Sequence, residues 1–173
     1  MKIIQALKEI PLIEKRIEKN NQDIQKYASY CNKIGPSFKD KNEQEKQVLG
    51  LIQSTIDLCN RRLALRKALA KTNATLTLKI EDKELTIVEW LEYNNKVGQL
   101  IINAYNGLNN VNGIKQMNES GGVNQNDVEQ ALVVRCFDEK KKNSGLEEAQ
   151  QILDKITGAL EVFNATNDLI EPV

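Results

Sequence analysis

Apolar positions along the chain follow a helical period, lose it once, and regain it. From about Lys2 to Asn32, residues Ile3, Ala6, Ile10, Ile13, Ile17, Asn20, Ile24, Tyr27 and Cys31 step by three and four. That spacing predicts a first helix with a sustained coiled-coil seam. Pro11 removes one backbone donor and predicts a kink or restart there. Asn20 lies on the seam, where an asparagine either fixes register and partner number or sits at an edge facing water. Gly35-Pro36 ends the segment, and Ser37 or Asp40 is placed to cap the next helix. The second helix is expected from about Lys41 to Lys71, with Leu49, Ile52, Ile56, Cys59 and Leu63 continuing the seam. Arg66 falls next on it and Leu65 and Leu69 flank that position, so the stripe drifts. The arginines 61, 62 and 66 read as partners in helix-surface salt bridges. At about 1.5 Å per residue these two helices span roughly 45 Å each.

"TLTLKIEDKEL" breaks the helical period. Thr75 to Ile80 alternates every second residue and is rich in β-formers, while Glu81 to Glu84 is polar and able to turn. Leu85 can pair back. Thr86 with Glu89 three residues on makes a capping box for a following helix. A β-hairpin at 74–86 is the expectation. A lone hairpin is marginal in water, so a partner strand is sought in Leu132 to Phe137, the other β-rich run. A third helix is predicted over 87–108, with Asn94 and Asn95 interrupting its apolar face. An Asn- and Gly-rich loop follows at 109–127. The last helix is predicted over 146–165, on Leu146, Ala149, Leu153, Ile156, Leu160 and Phe163. The fold class is mainly α: a single domain, 1–173, built as an elongated antiparallel four-helix bundle or coiled coil, with a small β-hairpin insert and one further short strand.

Composition narrows the chemistry. The 173 residues hold 24 Lys+Arg against 24 Asp+Glu, and aromatics are 5%. A duplex binder usually carries a basic excess and a single-strand binder an aromatic platform, so no nucleic-acid partner is predicted. The run Lys140 to Lys142 follows Asp138-Glu139 and reads as a solvated turn. Histidine is absent, which excludes His-based acid/base catalysis and the usual His metal sites. The 3 cysteines, Cys31, Cys59 and Cys136, are far apart and suit buried thiols in a reducing compartment. No apolar run reaches a membrane span, and the N-terminal stretch makes a poor signal peptide. The sequons at Asn73, Asn118 and Asn164 are read as chance occurrences. The Lys, Asn and Ile bias fits AT-rich coding, as in bacteria and phages.

The residues also resemble a known family. "MKIIQALKEIPLIEKRIEKN" is similar to the opening of septicolysin-like proteins, small bacterial helical proteins, in its Met-Lys start, early Ala-Leu and Arg16-Ile17-Glu18 step. The unit Leu69 to Asn73, the strand-turn Thr75 to Glu84, the Leu85-Thr86 helix start and the Asn-containing "EVFNATNDL" resemble later parts of the family. The chain departs from it at Asn94 and Asn95, where the family tends to carry Arg-Asp, and in an expanded Asn/Gly loop. The resemblance implies a toxin-like lytic activity and supplies no catalytic residues.

No nucleophile, base and orienter come together. Asn73 and Asn164, each followed by Ala-Thr, read as helix-end residues that satisfy loose carbonyls. Glu81, Asp82 and Glu84 lack the spacing of a calcium loop and read as a solvated turn. Trp90, the one tryptophan, reads as a core anchor under the hairpin. Asn20, Asn73, Trp90, Asn94, Asn95 and Asn164 are the structural and oligomerisation candidates; no catalytic, metal or cofactor residue is assigned. The expectation is a non-enzymatic assembly protein, cytoplasmic or virion-borne. Its partners are copies of itself or other particle proteins, and membrane association is not expected. A membrane-active, toxin-like protein is the alternative.

Overall fold

A computed structural model describes residues 1–119 and 132–171. The described chain is mainly helical with one two-stranded sheet. Its elements are α1 (Ile3–Tyr27), α2 (Lys41–Thr75), β1 (Thr77–Ile80), β2 (Lys83–Thr86), α3 (Ile87–Glu92), a π-helical segment (Tyr93–Val97), α4 (Gly98–Asn106), α5 (Val111–Glu119) and α6 (Glu139–Thr166). The chain packs as two compact units, Met1–Leu78 with Glu161–Val173, and Lys79–Leu160.

In the first unit α1 and α2 form a helical hairpin. α1 stops at Tyr27, short of the expected Asn32, and runs through Pro11 without restarting. Pro11 and Leu7 are both exposed, so water reaches the Leu7 carbonyl whose partner Pro11 lacks. Asp40 caps α2 by accepting from the Glu43 N–H at 2.8 Å. Buried Gln44 closes the hairpin: its amide donates to the Tyr27 carbonyl at 2.7 Å and its oxygen accepts from Ser37 N–H at 2.8 Å. Tyr27 meets Phe38 edge-on at 4.9 Å. Buried Thr72, near the end of α2, donates to the Ala68 carbonyl at 2.7 Å and accepts from Ile170 N–H at 2.9 Å. The segment 167–171 thereby lies against both helices. Asp168 bridges to Lys2, and Leu169 N–H donates to the Met1 carbonyl at 2.8 Å. The core holds Ile3, Ala6, Ile10, Ile13, Leu65, Ala68, Leu69 and Phe163.

In the second unit the hairpin forms where alternation predicts it, with Glu81-Asp82 as its turn. Glu81 has φ +54°, a left-handed conformation that costs a non-glycine residue roughly 1 kcal/mol. The Thr86 capping box is present, with Thr86 Oγ accepting from Glu89 N–H at 3.3 Å and Glu89 accepting from Thr86 N–H at 2.8 Å. Trp90 and Ile87 are buried beneath it, with Ile156 and Leu160 of α6. Tyr93 stands edge-on to Trp90 at 6.2 Å.

Three expectations are corrected here. Leu132 to Phe137 forms no strand; Leu132 and Val134 are largely exposed and the sheet holds only β1 and β2 among the described residues. β-propensity without a paired edge to join decides nothing. The predicted loop at 109–127 contains α5 up to Glu119; Asn109 starts it by accepting from Val111 N–H at 2.9 Å. Residues 120–127 lie outside the described residues. The final helix begins at Glu139, so Lys140 to Lys142 are helical, not a turn. Asp138 is the reason: its carboxylate accepts from the N–H groups of Lys140 and Lys141 at 2.8 and 3.1 Å. Lys142 then reaches the Leu108 carbonyl at 2.7 Å.

Candidate assembly surface

α1 presents its predicted seam to α2. The two helices run antiparallel, and Asn20 bridges them by donating to Ser54 Oγ at 3.2 Å and Thr55 Oγ1 at 3.3 Å. Steps of three and four from that level bring Ile24 to Leu51, Ile17 to Leu58, Ile10 to Leu65 and Ile3 to Thr72. Arg61 clamps Glu9 with two bonds of 2.8 and 3.1 Å, and Arg62 holds Glu14 at 2.7 Å. The Arg61 hydrogen bond holds the Glu9 carboxyl below its ordinary value, against a smaller opposing push from desolvation, and Glu9 in turn raises the guanidinium.

The face of α2 turned to α1 is therefore Gln44, Val48, Leu51, Thr55, Leu58, Arg62, Leu65, Leu69 and Thr72, all buried or half-buried. It steps by four and three throughout. It is not the stripe read from the sequence. That stripe, Leu49, Ile52, Ile56, Cys59 and Leu63, has the same period but points elsewhere. Leu49, Ile52, Ile56 and Leu63 are 59, 40, 48 and 53% exposed. α2 thus carries two heptad seams roughly a third of a turn apart at 100° per residue. One packs on α1 and the other meets solvent. The second continues as Glu45 before Leu49 and Arg66 after Leu63.

The choice between the seams rests on polar partners. The buried seam contains four polar members, and each is bonded: Gln44 to Tyr27, Thr55 to Asn20, Arg62 to Glu14, Thr72 to Ala68 and Ile170. A polar residue buried with its partners satisfied costs little. The exposed seam makes one loose contact with α1, the 3.9 Å ion pair of Arg66 with Glu14.

The other candidates take these places. Asn20 is half-buried within the hairpin and faces α2 of its own chain. Asn73 lies inside the last turn of α2 in helical conformation; the end of that helix is closed by Leu76 N–H donating to the Thr72 carbonyl at 2.9 Å. Asn164 is likewise interior to α6, and Asn167 does the capping, its side chain donating to the Phe163 carbonyl at 3.0 Å. Trp90 is buried, in the anchoring position its spacing predicts. Asn94 and Asn95 fall in the π-helical segment, where Asn94 accepts from Thr157 at 3.4 Å and Asn95 is exposed. The predicted continuous helix over 87–108 is thus broken by a π-turn at the two asparagines that interrupt its apolar face. Cys31, Cys59 and Cys136 are all free and exposed, against the expectation of buried thiols. None of them lies on a face that packs, since Cys31 follows the end of α1 and Cys59 sits on the outer seam.

Two concavities border these elements. A cleft of about 150 Å³ lies beneath the hairpin turn, between Ile80, Trp90, Tyr93 and Ile152. Lys155 closes its rim by donating to Glu81, and this bond holds the Glu81 carboxyl below its ordinary value. That volume is too small for most cofactors. A shallower groove of about 620 Å³ opens at the α1–α2 turn, lined by Tyr27, Tyr30, Gln44, Val48 and Leu49. Leu49 belongs to both the groove and the exposed seam, and Lys41, Gln44 and Glu45 give the groove a polar side. Among the described residues no three His, Cys, Asp or Glu side chains gather in a metal-binding group, and no helix is long and apolar enough to cross a membrane. Compared with protein-family models, curated proteins and solved structures, the chain matches none of them.

Proposed function

We propose that this chain is a non-enzymatic assembly protein that associates with copies of itself through the outer seam of α2, and serves as an accessory component of a larger particle, such as a phage virion. The observation that carries this reading is the seam itself. Five residues from Leu49 to Leu63 repeat at coiled-coil spacing and stay exposed, Leu49, Ile52, Ile56 and Leu63 by 40 to 59%. Scattered surface leucines are ordinary, but a periodic apolar stripe is a packing surface. In this reading two α1–α2 hairpins form a four-helix arrangement between copies, contributing two helices each. Pairing of hairpin strands between copies is a second contact in this reading.

Magnitudes favour reversible association. The stripe residues are already about half covered, so each adds on the order of 1 kcal/mol when buried. Four per copy, in a pair, give about 8 kcal/mol against an association cost of roughly 4–15 kcal/mol. Pairing through this seam alone is therefore concentration-dependent. Light scattering behind size-exclusion chromatography tests this: the mass rises to a discrete multiple of 19.6 kDa with loading concentration. A constant monomer mass at every concentration overturns the assembly reading. Dye release from liposomes by the same sample would favour the toxin-like alternative.

A further inference from the structure

Resting on that reading, the charge pattern along α2 gives the partner's orientation. We infer that a second copy of this chain lies antiparallel on the outer seam, about a two-fold axis passing between Ile56 and Cys59. The seam's apolar run is flanked by one acid, Glu45, and one base, Arg66, on the same stripe. In a parallel pair Glu45 meets Glu45 and Arg66 meets Arg66, and like charges at one level repel. An antiparallel pair brings acid toward base at both ends. Arg66 holds Glu14 of its own chain only in a loose ion pair of 3.9 Å, Glu14 being bound more closely by Arg62 at 2.7 Å, and the Arg66 side chain is 55% exposed, so its guanidinium can turn to a second acid.

Heptad spacing then selects the register. Placing Ile52 level with Leu63 puts Ile56 level with Cys59, so the inner layers of the stripe meet apolar partners. Arg66 lies over Leu49, one helical turn from Glu45 of the other copy. Its long apolar stem covers the leucine while the guanidinium reaches the carboxylate. Shifting the partner by one heptad sets Glu45 over Leu63, and the shorter acid has no stem to carry its charge to water. The same alternation of levels already pairs α1 with α2 inside the chain, so the fold uses this geometry once.

Disulfide trapping tests orientation separately from association. In a background of Cys31→Ser, Cys59→Ala and Cys136→Ser, one variant carries Ile52→Cys and a second, distinguished by a size tag, carries Leu63→Cys. The two are mixed dilute, concentrated and oxidised. The predicted result is a mixed dimer band, with neither variant crosslinking to itself, because like positions lie about 16 Å apart along the axis at 1.5 Å per residue. Self-crosslinking of each variant without the mixed band overturns the antiparallel orientation while self-association stands. An oligomeric mass with no crosslink in any sample overturns the seam as the contact. A monomeric mass in both overturns the assembly reading beneath it. As a second readout, Glu45→Arg weakens association and Glu45→Arg with Arg66→Glu restores it; failure of the double variant to restore counts against the charge pairing.

Discussion

Asn20 donates its side-chain amide across the α1–α2 seam to Thr55, whose own hydroxyl donates to the Leu51 carbonyl at 2.9 Å. This polar level stands among apolar ones on the face of α2 turned to α1. Asn20→Ala removes the bond and costs about 1 kcal/mol in urea unfolding. Replacing both Asn20 and Thr55 by Leu is neutral or stabilising, because two apolar residues then share the level. The double variant exchanges amide hydrogens more uniformly along α2, since nothing but apolar spacing holds the register. An Asn20→Ala variant as stable as the native chain counts against this role.

Thr72 ties the segment 167–171 to the hairpin through Ile170 N–H. Thr72→Val keeps the shape and removes the oxygen, leaving that N–H without its acceptor. The expected cost is about 1–3 kcal/mol, with Ile170 the amide whose exchange protection falls most. Thr72→Ser keeps the hydroxyl and keeps the protection. Equal protection of Ile170 in Thr72→Val contradicts the assignment.

Two glycines of α6 respond oppositely to alanine. At Gly145 an added Cβ would stand 2.3 Å from the Tyr105 ring, so Gly145→Ala displaces that ring from its seat. At Gly158 nothing lies within 4 Å of the new methyl, and the residue is mid-helix. Gly158→Ala raises stability by about 0.5–1 kcal/mol through helix propensity and lost unfolded-state freedom. Thermal midpoints of the two variants should move in opposite directions; movement in one direction contradicts the packing at Gly145.

Acid sensitivity follows from the depressed carboxyls. Glu9, Glu81 and Glu89 are lowered from 4.5 by Arg61, Lys155 and Thr86, and Asp168 from 3.8 by Lys2. A lowered folded-state value binds fewer protons than the unfolded chain does. The contribution is complete above the ordinary value and is lost as pH falls through the folded one. Stability should therefore decline below about pH 4.5 and not between pH 6 and 8, where no histidine titrates. Glu9→Gln flattens the decline, and an unchanged slope in that variant contradicts the Arg61 pairing.

The α1 seam, the hairpin, its capping box and the buried Trp90 were readable because each has a local period or spacing. The facing side of α2 was not. Its buried stripe interleaves Gln44, Thr55, Arg62 and Thr72 with leucines, so it reads as polar until the partner of each is known. The purely apolar stripe beside it draws the eye as core and is left outside. The same limit explains Asp138, which looks like an acid offsetting lysines and is a helix cap. It also explains Asn167, which caps where Asn164 was expected. Residues 132–137 have strand composition but no strand to pair with, which only tertiary context reveals. The mainly helical class and the small two-stranded sheet were thus legible from periodicity, while the candidate surface needed the polar bonds that accompany the buried one of two equal periods.

The outer seam is tested most directly by sedimentation velocity on three proteins across the same concentration series: the native chain, Ile52→Glu with Ile56→Glu, and Leu100→Glu. Ile52 and Ile56 sit at the centre of the seam, and Leu100 is an exposed apolar residue of α4. With helix content matched by circular dichroism, the account predicts that the native chain and Leu100→Glu associate alike. The double variant should stay monomeric. A double variant that assembles as the native chain does would contradict the seam as the joining surface.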